Sequence, residues 1–286
     1  MRIIKLLRVH QWLKNVLIFV PILSTANFNS DSYMDLILGF IFFSFFVSAT
    51  YIVNDLVDIK SDFSHPIKKN RPIASGKISK KMAISLSLLF SIVSIFYFYY
   101  FQQDVLLFII LYLFLTILYT LKTKYVKFFD LATIVTLFII RLLVGGVISN
   151  IDISAYLILI VLFLSLAIVT SKKLSIFNNS EIGNTKVKNH LLNSYSSNGL
   201  TMLFNSSIFL SAIVYFTWII RIKSSADTFI FYVVSFLFLL ISLHRLIQLT
   251  RKKETEEIIS MLFLDTKLLI AVLGFTVLTL YSLYYE

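Results

Sequence analysis

The amino-acid sequence predicts an all-α, polytopic membrane protein of nine transmembrane helices with a cytoplasmic N-terminus. Three observations carry this prediction. Apolar residues make up 58% of the 286 positions, with a mean hydropathy of +0.87. They gather into nine segments close to the roughly 20 residues that cross a bilayer as a helix. Finally, 23 of the 26 basic residues fall in alternate connections between those segments, which the positive-inside rule assigns to one membrane face.

The segments lie near 15–28, 34–53, 82–101, 105–121, 129–149, 155–171, 200–220, 228–243 and 266–285. The first is the shortest and contains Pro21. Residues 1–14 carry Arg2, Lys5, Arg8 and Lys14 but no apolar run followed by a small-residue cleavage site, so no cleavable signal peptide is expected. A long polar loop, 54–81, follows the second segment and holds Lys60, Lys68, Lys69, Arg71, Lys77, Lys80 and Lys81. The next connections on the same face carry Lys122, Lys124 and Lys127, then Lys172, Lys173, Lys186 and Lys188 within a second long loop, 172–199. The stretch 244–267 adds Arg245, Arg251, Lys252, Lys253 and Lys267. The opposite connections carry only Arg221 and Lys223. Losing or gaining one helix would break this alternation. Residues 1–286 are therefore expected to form a single domain in the cytoplasmic (inner) membrane, with loops 54–81 and 172–199 carrying the chemistry.

Composition excludes several classes. The net charge of +11 is accounted for by basic loops facing anionic headgroups, so no nucleic-acid partner is expected. There is no Cys, which removes disulfides, thiolate metal sites and Cys nucleophiles. The four His show no metal-ligand spacing, which argues against zinc. A pore or pump would place ionisable groups inside its spans. Here the clearest such charge is Arg141, followed by Gly145-Gly146 and lying eleven residues after Asp130, about three turns along the same helix face. Nothing in the sequence decides whether the chain forms a homo-oligomer.

The chemistry concentrates after the second span. The run Asn54-Asp55-Leu56-Val57-Asp58-Ile59-Lys60-Ser61-Asp62 places three of the 15 acids within eight positions. Spacing of i, i+3 and i+7 puts Asp55, Asp58 and Asp62 on one helical face. Three like charges repel unless a cation lies between them, and Mg²⁺ shared with substrate phosphates is the usual occupant of such a site. The neighbouring Lys68, Lys69 and Arg71 suit phosphate binding.

This pattern, continued by Lys68-x-x-Arg71-Pro72-Ile73-x-x-Gly76, resembles the first aspartate-rich motif of the UbiA superfamily of intramembrane prenyltransferases. Within that superfamily, Gln11-Trp12-Leu13-Lys14-Asn15 is similar to the opening of the decaprenyl-phosphate phosphoribosyltransferase branch. Tyr119-Thr120-Leu121-Lys122, Asp130, and Arg141 with Gly145-Gly146 resemble that branch's later motifs. Tyr195 after His190-Leu191-Leu192, and Glu256-Glu257 with Asp265, look like its closing segments. The resemblance runs from about residue 8 to 270. The chain departs from it in the second loop, where Lys172-Lys173-Leu174-Ser175-Ile176 keeps the branch's basic pair but lacks its acid. The sole carboxylate in that loop, Glu181, lies five residues later.

The resemblance implies Mg²⁺-dependent transfer of a 5-phosphoribosyl group from phosphoribosyl pyrophosphate to a polyprenyl phosphate at the cytoplasmic face. It implies Asp55, Asp58 and Asp62 as catalytic metal ligands. It also implies substrate binding by Gln11, Lys14, Asn54, Lys68, Arg71, Lys122, Lys172, Lys173 and Tyr195. One alternative is a prenyltransferase moving an isoprenoid from its diphosphate to an aromatic or other small acceptor, although the absence of a second Asp-x-x-x-Asp counts against it. Another is a non-catalytic protein that binds or transports lipid phosphates.

Overall fold

The computed structural model describes residues 2–25, 30–63, 68–178, 186–222, 225–252 and 262–285. Its helices in chain order are α1 (Arg2–Leu7), a 3-10 segment (Val9–Phe19) running into α2 (Val20–Leu23), α3 (Ser30–Val57), α4 (Ile59–Phe63), α5 (Lys80–Phe101), α6 (Leu106–Leu121), α7 (Phe129–Ser149), α8 (Ala155–Asn178), α9 (Lys186–Ser194), α10 (Ser197–Arg221), α11 (Ala226–Arg251) and α12 (Thr266–Tyr284). No strand occurs among the described residues, as the fold class requires.

Eight helices are long and apolar enough to cross a membrane: α3, α5, α6, α7, α8, α10, α11 and α12. They coincide with eight of the nine expected segments. Of the segment expected at 15–28, residues 26–28 lie outside the described residues, and the rest belongs to a shorter apolar helix, Val9–Leu23, most of it wound as 3-10. Trp12 and Asn15 donate from it to Ser48 and Ser44 on α3. The expected polar loops also shrink. Helix α3 runs on to Val57, α8 to Asn178 and α11 to Arg251. Charged residues there continue the helix because backbone hydrogen bonding does not stop where lipid contact stops.

Capping explains several boundaries. Ser79, Ser196 and Ser225 accept hydrogen bonds from the backbone N–H groups of Met82, Gly199 and Thr228 at 3.2, 3.1 and 3.3 Å, the usual N-cap arrangement. Helix α7 ends at Asn150, whose φ of 53° is the left-handed conformation that stops helices and that Asn tolerates.

The chain gathers into two compact units. The first comprises Met1–Pro21, Phe28–Asp152 and Ser180–Ser194. Its centre is α7, the most deeply enclosed span, with 67% of its apolar window buried. A Cβ added at Gly145 would lie 2.0 Å from the Ile18 carbonyl oxygen, so the 3-10 segment presses its backbone directly onto α7, a close approach that small residues permit. Helices α3 and α5 are joined by Ser94 and Ser87, which donate to the carbonyls of Phe42 and Ala49 at 2.8 and 3.1 Å, and by the stacked rings of Phe42 and Tyr97. The second unit comprises Ile22–Asn27, Ile153–Asn179 and Tyr195–Glu286. There the Tyr215 hydroxyl on α10 meets Ser235 on α11 at 2.7 Å and Thr279 on α12 at 2.8 Å, satisfying a buried phenol where no water is available.

Candidate active site

In the first unit, one face of α3 receives the N-terminal segment running in the opposite direction. Asn15 donates to Ser44 at 2.9 Å, Trp12 donates to Ser48 at 2.9 Å, and Arg8 donates to Asp55. As numbers fall along the N-terminal segment they rise along α3. The acceptors Ser44, Ser48 and Asp55 share a face by helical spacing. Ser48 also donates to the Leu7 carbonyl at 2.8 Å. Arg8 sits at φ 50° as the residue that opens the 3-10 segment, a conformation rarely adopted by non-glycine residues. That bend lays its guanidinium over the Tyr51 ring, 5.0 Å from the centroid, on the way to Asp55.

A second pair of contacts comes from the end of α6. Thr120 donates to the Asn54 side-chain oxygen at 3.1 Å, and Lys124 to Asp58 at 2.6 Å. Asn54 near the end of α3 and Asp58 just past it are thus held one turn apart. The helical bonding persists past Val57: the N–H groups of Asp58 and Asp62 donate to the carbonyls of Asn54 and Asp58 at 2.9 and 2.8 Å. The acidic run is therefore helix, not loop.

The Arg71 segment completes the site. Arg71 follows a 3-10 turn at Lys68–Asn70, and its Nη1 donates to both Asp55, at 3.0 Å, and Asp62, at 2.6 Å. The segment is fastened by Ile73 and Ile78, buried against Leu6, Leu7, Ile52 and Ala83. Between them Gly76 turns the chain at φ 71°, a conformation that glycine adopts without strain. The Arg-Pro-Ile-x-x-Gly pattern thus has a structural meaning: arginine at the site, isoleucine as anchor, glycine as turn.

Electrostatically the cluster holds more cations than anions. Asp55 and Asp62 are buried and share Arg71, while Asp58 pairs with Lys124. Lys68 is half-buried. Burial pushes its ammonium below the ordinary value and the Arg71 charge adds to the effect, against the opposing pull of Asp62 and Asp58. Lys14 lies within electrostatic reach of Tyr51, which lies one turn before Asp55 on α3.

The three carboxylates do not converge on one point, and among the described residues no three His, Asp or Glu side chains form a ready cation cage. The donor chemistry nevertheless fits Mg²⁺. Oxygens of Asp55 and Asp62 both reach one nitrogen of Arg71, so they can reach one cation. Mg²⁺ commonly takes only one or two carboxylates and completes its shell with water and phosphates. Asp55 and Asp62 are the residues that would hold it, with Asp58 directed toward Lys124.

The remaining expected residues are more scattered. Gln11 is half-buried, and its backbone N–H donates to the Arg8 carbonyl at 2.7 Å. Lys122 is exposed and forms no ion pair among the described residues. Lys172, Lys173 and Tyr195 belong to the second unit, where the Lys173 ammonium lies 4.5 Å from the Tyr195 ring centroid and Lys172 is exposed. Arg141 does not pair with Asp130. It is buried and donates to Asn15 and Tyr112, both at 2.8 Å, and to the Leu137 carbonyl. Asp265 caps α12 by accepting from the Leu268 N–H at 2.8 Å and binds Arg245 through both carboxylate oxygens. Glu181, Glu256 and Glu257 lie outside the described residues. The sequence reading missed Arg8, Tyr51 and Lys124, and it met Thr120 only as part of the Tyr119-Thr120-Leu121-Lys122 motif. Its only signal for Arg8 and Lys124 was their charge, which the topology argument had already used.

Residues 16–266 match the family model described as the UbiA prenyltransferase family. The chain belongs to this family. It is therefore a multi-pass membrane transferase. Among curated relatives, the decaprenyl-phosphate phosphoribosyltransferase of Mycobacterium tuberculosis is 27% identical over 221 residues, spanning 76% of this chain and 73% of that one. The Corynebacterium glutamicum protein of the same name is 33% identical over 175 residues, spanning 59% of this chain and 53% of that one. A UbiA homolog from Archaeoglobus fulgidus, solved bound to DMAPP and Mg²⁺, shares the fold with a TM-score of 0.70 at 15% identity, covering 100% of this chain and 99% of that one.

Proposed function

We propose that this UbiA-family protein transfers a 5-phosphoribosyl group from phosphoribosyl pyrophosphate to a polyprenyl phosphate at the cytoplasmic membrane face, with Mg²⁺. The observation that carries this reading is the charge balance around the acidic end of α3. Asp55, Asp58 and Asp62 are ringed by Arg8, Lys68, Arg71 and Lys124, a surplus of positive charge suited to a ligand bearing several phosphates. The relatives named above supply the substrate class.

In this reading Asp55 and Asp62 bind Mg²⁺, which would neutralise the pyrophosphate as it leaves the anomeric carbon. Arg71 and Lys68 hold the pyrophosphate oxygens, and the forked guanidinium suits two of them at once. Asn54, positioned by Thr120, and Lys14, beside Tyr51, face the same end of α3 and orient the reacting groups. The lipid phosphate is already an anion, so alignment rather than a strong general base does the remaining work. Lys172, Lys173 and Tyr195, all within the second unit, are assigned to phosphate binding there, with the Lys173 ammonium 4.5 Å from the Tyr195 ring centroid.

The test offers purified protein two substrate pairs with Mg²⁺: phosphoribosyl pyrophosphate with polyprenyl phosphate, and a prenyl diphosphate with an aromatic acid. Lipid products are read by mass spectrometry. A phosphoribosylated lipid that disappears with chelator and in Asp55→Asn supports the proposal. A prenylated acid in its place would reassign the donor. Binding of polyprenyl phosphate with no product from either pair would favour a lipid-phosphate carrier.

A further inference from the structure

Each of the three clustered carboxylates is already paired with a cation in the structure. Lys124 holds Asp58, while Arg8 and Arg71 both hold Asp55. Arg71 also holds Asp62, and it does so with the same nitrogen it offers to Asp55. That nitrogen occupies the position from which a single cation contacts both buried acids. A hard divalent ion would need those same oxygens at about 2.0–2.1 Å. Two cations cannot occupy one such position, because like charges a few ångströms apart repel strongly in a partly desolvated site.

We infer that Arg71 competes with the divalent cation for the Asp55–Asp62 pair, so that metal and diphosphate bind as one coupled unit. This rests on the reading of the site as a metal–diphosphate centre, and it adds the order of events there. An incoming diphosphate offers the guanidinium two oxygens in fork geometry. It thereby draws Arg71 away from the carboxylates as the metal takes its place.

Three features of the structure support this exchange. The Arg71 side chain is 25% exposed, whereas that of Asp55 is 3% exposed, so the arginine is the partner with room to move. Its backbone stays anchored through the Ile73 and Ile78 contacts, which limits the motion to the side chain. Asp55 keeps Arg8 when Arg71 departs, so the carboxylate remains charge-paired and in place. The local charge points the same way. Metal alone would add to a cluster already in cationic surplus, whereas metal carried with a diphosphate would offset it. By linkage, each ligand must then strengthen binding of the other by the same factor.

The experiment measures binding rather than turnover, by calorimetric titration of the full chain in detergent with Mn²⁺ alone and with preformed Mn²⁺–pyrophosphate. Wild type is expected to bind the complex well and Mn²⁺ alone weakly. Arg71→Gln removes the competitor and should bind Mn²⁺ alone about tenfold more tightly, within the usual range of coupling between sites, while losing affinity for the complex. Arg71→Lys, which keeps a cation there, should return Mn²⁺ affinity toward wild type. Lys77→Gln removes the same charge from an exposed position of the same segment and should leave Mn²⁺ affinity unchanged. The inference is overturned if Arg71→Gln binds Mn²⁺ no more tightly than wild type, or if Lys77→Gln gains as much. If wild type binds neither titrant, or Asp55→Asn binds the complex as wild type does, the metal–diphosphate reading itself fails. That outcome is distinct from a site that binds the complex but shows no competition.

Discussion

Lys124 and Asp58 stand 66 residues apart in sequence, yet Nζ and Oδ1 meet at 2.6 Å with both side chains largely enclosed. One contact thus ties the turn after α6 to the acidic end of α3, and Thr120 to Asn54 reinforces it one turn earlier.

Lys124→Gln should therefore act on both structure and chemistry. Removing one partner of a charge-assisted hydrogen bond costs about 1.5–3 kcal/mol, read as a lowered midpoint of thermal unfolding in detergent. Asp58→Asn in the same background should add little further loss, because the two residues share one interaction. Additive losses would show that each acts alone.

Asp55→Asn and Asp62→Asn should each lower transfer roughly 10²–10³-fold, the scale of losing a group that stabilises developing charge. The two should differ in stability. Asp55 holds both Arg8 and Arg71, whereas among the described residues Asp62 pairs with Arg71. Asp55→Asn therefore leaves Arg8 without its carboxylate, while in Asp62→Asn every cation keeps one, so Asp55→Asn should unfold at the lower temperature.

Acid should weaken the second unit through Asp265. Hydrogen bonds from Arg245 hold its carboxyl below the ordinary value of 3.8, aided by the Leu268 N–H. A depressed folded pKa means the contribution is fully present above about 3.8 and is lost as pH falls through the lower folded value. Asp265→Asn should thus be less stable than wild type at neutral pH, with the difference closing in strong acid. Unfolding midpoints measured from pH 7 down to about 2.5 would check this, and a constant difference would contradict it.

Gly145→Ala should destabilise the first unit by about 1–3 kcal/mol or more, the usual cost of overpacking, because the new methyl meets the backbone of Ile18 rather than a side chain. Gly39→Ala offers the contrast. There the added carbon meets only the terminal methyl of Ile148, at 2.5 Å, which can change rotamer. Parallel unfolding curves for the two variants would separate a rigid contact from a yielding one.

The spans were legible because lipid imposes a pattern that persists for about 20 residues at a time. Residues 129–149 emerge unchanged as α7. The motif around Asp55 was also legible, since charge is rare in such a chain. What the sequence could not convey was pairing. Arg8 reaches Asp55 across 47 residues and Lys124 reaches Asp58 across 66, and no periodicity records contacts at those separations. The segment expected at 15–28 was the least legible: its described part belongs to a shorter apolar helix, Val9–Leu23, in which Trp12 and Asn15 are satisfied by Ser48 and Ser44 on α3, pairings that hydropathy does not record. Arg141 and Asp130 share a helix face by spacing, but the three partners of Arg141 come from the 3-10 segment, α6 and its own helix.

Helix α3 is continuous over 28 residues, which at 1.5 Å per residue is about 42 Å of rod. The oily interior of a bilayer is only about 30 Å thick, so the rod is longer than that interior is deep, and Asp55 stands two residues from its end. On the proposed function, a phosphate fastened to a hydrocarbon tail would meet a water-borne phosphate ester near that end. Neither would have to surrender its own solvent. The tethered one would need only to drift sideways, so its search would be confined to a plane and the protein would be spared the work of pulling a lipid out of the membrane.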